Sequence, residues 1–219
     1  AVTFADAGGN LELYAENPSS PTAPTASGAN AFAIGSNARA TGSDSVALGL
    51  SAIGTNTSSV ALGLSRSGGT HSTSMNTVTS SASYGALGNN SIAGQYIAKA
   101  SGTRAIAFGN ESQATNTNAI AMGNSTLASG SGALALGNDA HATNTNSSSI
   151  GSSSRATGNT SLAMNSGNAA GERSTAIGLQ SLANEYGKFA FASGYFAANG
   201  DAQGGMFILR ADTTDATAT

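Results

Sequence analysis

Residues 120 to 137 read Ile-Ala-Met-Gly-Asn-Ser-Thr-Leu-Ala-Ser-Gly-Ser-Gly-Ala-Leu-Ala-Leu-Gly. The stretch states a tripeptide, Ala121-Met122-Gly123, and restates it 14 residues later as Ala135-Leu136-Gly137. A weaker element, Ala128-Ser129-Gly130, lies halfway between them. Working outward, the strong element recurs as Ala107-Phe108-Gly109 and Ser149-Ile150-Gly151, and further off as Ala33-Ile34-Gly35, Ala47-Leu48-Gly49, Ala61-Leu62-Gly63, Ala163-Met164-Asn165 and Ala176-Ile177-Gly178. The weak element follows as Ala40-Thr41-Gly42, Ala114-Thr115-Asn116, Ala142-Thr143-Asn144, Ala156-Thr157-Gly158 and Ala170-Gly171. Self-similarity at a fixed short period is the signature of a solenoid. Each unit has two seven-residue arms. Gly or Asn closes most arms, as expected where a tight turn demands positive φ. What remains of an arm is too short for a helix and suits one rung of a coiled β-structure.

Alternation within an arm assigns the faces. Phe32 and Ile34, Val46 and Leu48, Val60 and Leu62, Ile106 and Phe108, Ile120 and Met122, and Leu134 and Leu136 share one side, while the intervening alanines point to the other. Ala33, Ala47, Ala61, Ala107, Ala121 and Ala135 then face Ala40, Ala114, Ala128, Ala142 and Ala156 across a flattened roll filled with methyl groups. The large column faces outward. At roughly 1.5–3 kcal/mol per side chain, covering it is worth some tens of kcal/mol before entropy is subtracted. A continuous apolar ridge along a rod is an association surface. We read Val46, Leu48, Val60, Leu62, Ile106, Phe108, Ile120, Met122, Leu134, Leu136 and Ile150 as the oligomer interface. At about 4.8 Å per coil, roughly ten coils make an all-β rod about 50 Å long.

Composition agrees. Of 219 residues only 9% are charged and 5% aromatic, so packing falls to small side chains. A net charge of −3 offers no footprint for nucleic acid. Without cysteine there are no disulfide staples or thiol metal sites. No apolar run is long enough for a membrane helix, so no membrane insertion by this segment is expected, and the lack of a starting Met reads as a fragment or processed product.

The units Asp44-Ser45-Val46-Ala47-Leu48-Gly49 and Ser59-Val60-Ala61-Leu62-Gly63 resemble the head repeats of YadA-type trimeric adhesins, over about residues 28–63 and 98–194. The resemblance implies a left-handed parallel β-roll, a homotrimer and a display or attachment role. The flanks, Leu11-Glu12-Leu13-Tyr14 with Glu16-Asn17-Pro18, and Gly200-Asp201-Ala202-Gln203 with Phe207-Ile208-Leu209-Arg210 and Thr213-Thr214-Asp215-Ala216-Thr217, look like segments of phage tail-fibre proteins. That implies a virion fibre, acting as rigid spacer or receptor-binding tip, with other virion proteins and a host cell-surface glycan or protein receptor as partners. The alternative is the head of a bacterial trimeric autotransporter adhesin at the cell surface. A glycan-cleaving tailspike is a more distant alternative.

The expected organisation is a strand and Pro-rich linker over 1–27, repeats over 28–63, a repeat-interrupting insertion over 64–98 that leaves the stack, repeats over 99–194, and a cap or connector over 195–219. Specificity is expected off the repeat, because the coils present near-identical Ser, Thr and Asn side chains to solvent. The receptor candidates are therefore Tyr84 and Tyr96 in the insertion and Tyr186, Tyr195 and Phe196 near the aromatic end, where capping is the competing use. No enzymatic role, metal or cofactor is expected. His71 and His141 are the only histidines, and His141 shares a repeat column with Arg39, Gln113, Leu127 and Arg155. Asp212 with Asp215, and Glu172 with Glu185, lack a partner pattern for acid–base chemistry, and Glu172-Arg173 reads as solvated turn charge. The Gly-rich turns lack the strand-to-helix context of a phosphate site.

Overall fold

A computed structural model describes the backbone of residues 11–13 and residues 22–77 and 83–206 in full. It is a parallel β-solenoid with no helix among the described residues. Successive strands alternate between two sheets. The first, of fourteen strands, runs from Leu11–Leu13 through Phe32–Ile34, Val46–Leu48 and their successors to Phe189–Ala192, its thirteenth, and ends on Gln203–Met206. The second, of twelve, runs from Thr25–Ala26 to Leu182–Ala183. Strands pair with the equivalent strand one coil on, as in Ile120↔Leu134, Ala121↔Ala135 and Met122↔Leu136.

The interior is as narrow as the alternation predicts. Ala33, Ala47, Ala61, Ala107, Ala121 and Ala135 are fully buried, as are Ala40, Ala114, Ala128, Ala142 and Ala156 opposite them. The assignment of Ser to the solvent face needs correction. Ser45, Ser91, Ser161 and Ser174 are buried at the corners, where each hydroxyl donates to the carbonyl three residues back, as Ser45 Oγ does to Gly42 O at 2.7 Å. Such a hydroxyl is small enough for the roll and brings its own acceptor within reach.

The reading of the turns is half corrected. Glycines of the strong element do adopt positive φ, 117° at Gly49 and 134° at Gly137. Gly42, Gly102 and Gly158 of the weak element do not. They are required by close approach, since a Cβ at Gly102 would collide with the carbonyl of Asn116 in the next coil. The left-handed position of that corner falls two residues on, at Asp44, His71, Arg104, Thr160 and Arg173. Stacking fixes the corner strongly enough to override residue preference there.

The segment 64–98 does not leave the stack as a whole. Arg66–Ser67, Thr73–Met75, Gly85–Ala86 and Ile92–Gly94 all pair within the two sheets. What changes is coil length: Val60 pairs with Thr73, 13 residues on, and Thr73 with Ile92, 19 residues on. The surplus falls in the chain between Met75 and Gly85, and the registers on either side are kept. The stack also begins before residue 28, because Leu11–Leu13 pairs with Phe32–Ile34 and Thr25–Ala26 with Arg39–Ala40. Counting these coils raises the expected ten to about twelve and the length to nearly 60 Å. In the irregular coils Ser74 stands between Ala61 and Ala93 and Ser67 between Gly54 and Ala86, and Ser65, Ser72 and Thr77 are buried as well. Ser59 Oγ, Ser74 Oγ and Thr77 Oγ1 are buried without a hydrogen-bond partner.

At the other end the chain reverses. Gln203–Met206 adds antiparallel to Phe189–Ala192 and closes the first sheet. The second sheet ends on Leu182, whose N–H donates to Gln203 Oε1 (2.7 Å) and whose carbonyl accepts from Gln203 Nε2 (2.9 Å), so one amide side chain stands in for the missing strand. The reversal is pinned by Asp201, whose carboxylate accepts from the N–H groups of Phe196, Ala197 and Ala198 at 2.6–2.9 Å. Those backbone donors, Phe196 first, hold the Asp201 carboxyl below its ordinary value. A depressed folded-state value means that its support is complete above the usual carboxylate range and fades only as pH falls through the lowered one. Gln203→Glu keeps an acceptor for Leu182 N–H but loses the donor to its carbonyl. Because a terminal coil of a stack frays locally, the expected result is faster amide exchange at Leu182 and its neighbours, with little change in the global midpoint. Unaltered exchange there would show that the amide pair does not hold the end.

Candidate association surface and receptor contacts

The outward positions of the first sheet form one column pair along the whole rod. Every expected interface residue stands in it: Val46, Leu48, Val60, Leu62, Ile106, Phe108, Ile120, Leu134, Leu136 and Ile150 half-buried, and Met122 exposed at 44%. The column continues through the irregular coils as Met75 and Ile92. Gly94 adds no side chain, and the ring of Phe108 lies over it, where a Cβ would collide with it. The alternation makes this sheet apolar on both faces, and lateral stacking covers only part of the outer one. Phe189 and Phe191, exposed at 37% and 55%, extend the same column. These two aromatics therefore continue the outward column of the first sheet and do not form a separate aromatic patch at the end.

The receptor candidates are not brought together. Tyr84 and Tyr96 flank the coil of Gly85–Ala86 and Ile92–Gly94 on one edge, with Tyr96 half-exposed. Tyr186 projects from the opposite edge seven coils further, with the Arg173 guanidinium 5.6 Å from its ring centroid and donating to its hydroxyl. Tyr195 and Phe196 sit in the terminal reversal, and Phe196 is 88% exposed. Roughly 34 Å of rod separates the two groups at the strand spacing, so they do not form one site.

Ionic chemistry is sparse. Asp139 holds both His141 Nε2, at 3.1 Å, and Arg155, at 3.2 Å. Glu172 meets Arg173 at 3.6 Å and Glu185 meets Lys188 at 3.7 Å, all on corners. Asp212 and Asp215 lie outside the described residues. Among the described residues no group of three His, Asp or Glu is arranged to hold a metal ion, and no helix is long and apolar enough to cross a membrane. On the corners, side chains 14 residues apart form ladders: Asn110 donates to Asn124 and Asn124 to Asn138, both at 2.8 Å.

A solenoid with a methyl-filled interior, one polar sheet face and one apolar sheet face is a repeat-built fibre. The family described as YadA head domain repeat (2 copies) matches residues 26–52, 100–126, 128–154, 142–164 and 169–197, more than half of the chain, and the chain belongs to that family. No curated protein sequence matches it. Membership makes it an adhesin-type fibrous protein, of a family whose heads are trimers, in an extracellular or surface-exposed fibre.

Proposed function

We propose that three copies associate through the first sheet into a rigid, non-catalytic rod that serves as spacer and receptor-binding adhesin of a virion fibre. The carrying observation is the outward column pair from Phe32 to Phe191, which keeps at least one large apolar side chain in every coil and which a lone protomer leaves partly wet. Three-fold closure buries it symmetrically, and trimeric family heads support that number. The terminal segments, which resemble phage tail-fibre proteins, support the virion. The family match itself favours a second reading, the head of a bacterial trimeric autotransporter adhesin. Sedimentation equilibrium at nanomolar concentration is expected to show a trimer, and a folded monomer would remove the basis of both readings. Detection of the chain in purified virions supports the first reading; detection only in bacterial outer-membrane fractions selects the second.

Binding, in this reading, lies off the regular repeat and gains from three copies. Removing residues 78–82 shortens the 19-residue coil to the regular 14, whereas a deletion reaching back to residue 68 would take out the paired strand Thr73–Met75. That deletion, or Tyr84→Ala with Tyr195→Ala, is expected to reduce host-surface attachment at least several-fold while the trimer stays folded. Unchanged attachment by both variants would make the segment a spacer.

A further inference from the structure

The outward face of the second sheet carries a charge pattern that the interface does not use. Register pairing puts Thr25, Arg39, Ile53, Arg66, Gly85, Lys99, Gln113 and Leu127 in one column. Arg39, Arg66 and Lys99 fall two coils apart, about 10 Å between neighbours at the strand spacing. Each alternates with a buried residue, Ala40, Ser67 and Ala100, so each side chain projects outward. None of the three is in an ion pair with a described residue, unlike Arg155 and His141, which share Asp139 further along. Between residues 22 and 127 the chain has only Asp44 and Glu111 as acids against Arg39, Arg66, Lys99 and Arg104, although the whole carries −3. Two positions further along, on the same face, runs a half-buried column of Thr41, Thr55, Gly68, Leu87, Ser101 and Thr115, which carries hydroxyls on either side of its middle pair.

We infer that this face binds a linear acidic polysaccharide lying parallel to the rod axis, with the cation column on its sulfate or carboxylate groups and the hydroxyl column on its sugar hydroxyls. Single-file cations at an even pitch match a single-chain polyanion and not the width of a duplex. No aromatic side chain interleaves with them to stack a base. The individual contacts are weak, and a trimer would present three such faces outward, which is how weak sites gain avidity. The inference rests on the proposed fibre reading for that multiplicity and names the ligand class of the same adhesin.

The test uses the intact oligomer on surfaces bearing heparin, desulfated carboxyl-reduced heparin, or a short DNA duplex, over a salt series. Native protein is expected to bind heparin with affinity that falls steeply with salt, and to ignore the neutral polymer. Arg39→Gln, Arg66→Gln and Lys99→Gln together are expected to weaken binding at least tenfold, whereas Arg104→Gln, Arg173→Gln and Lys188→Gln, which remove the same charge elsewhere, are expected to leave it within about twofold. Equal loss in both triple variants, no loss in the first, no heparin binding by the native protein, or equal binding of the duplex would overturn the assignment. Sedimentation of the same samples separates the two claims. A trimer that does not bind heparin leaves the fibre reading intact, and a monomer that binds through the column leaves this inference intact.

Discussion

Leu136→Asp is expected to prevent trimer formation. Leu136 stands outward in the middle of the first sheet, between Met122 and Ile150 in the same column. In a trimer the substitution brings three carboxylates near the axis, each without a partner, at a cost of several kcal/mol per copy. A protomer alone bears the change easily, because the position is half-exposed there. Sedimentation should therefore report loss of the trimer at neutral pH, together with exposure of the remaining column. Like charges and burial both raise a carboxyl pKa, so assembly should return on acidification as the three groups protonate. Leu136→Met should leave the particle unchanged. A Leu136→Asp protein that sediments as a trimer at neutral pH would mean that this column is not the one buried.

Ala121→Leu tests the opposite face of a neighbouring strand. Ala121 is fully buried, with Ala107 and Ala135 pairing on either side. No neighbour can withdraw, because each is already a methyl group on a strand fixed by its own ladder. The cost should reach the upper end of the overpacking range, about 3 kcal/mol, or roughly 6–12 °C of midpoint for a chain of this size. Met122→Leu, one residue away on the outer face, should change the midpoint by far less. Equal effects would contradict the narrow interior.

The same two residues show why so much was legible. A strand repeats at period two and a coil at period 14, so the identities of Ala121 and Met122 fix their faces and their partners with no long-range information. Legibility failed where those periods gave out. Arg66 and Lys99 belong to the column of Arg39 and Arg155, yet a 13-residue and a 19-residue coil move them off the regular phase, so the cation column was hidden. Gly102 and Gly49 look alike in sequence but answer to different constraints, backbone approach and positive φ, which only the stacked neighbour distinguishes. Gln203 had no signal at all. Its role exists because a reversing chain brings it against Leu182, 21 residues away.

The polar interior between Val60 and Ile92 has a mechanical consequence. In this rod the inter-strand hydrogen bonds run along the fibre axis, so a pull on the tip loads the coil-to-coil junctions in series, and the weakest one carries the same force as the strongest. Of the four unpartnered buried hydroxyls among the described residues, those of Ser59, Ser74 and Thr77 lie in or beside this section and only that of Thr126 lies apart from it. The fibre thus has a built-in parting point about a third of the way along. Under tension it should open there first and lengthen by discrete, coil-sized increments, while the regular 14-residue coils beyond Ala100 hold their shape.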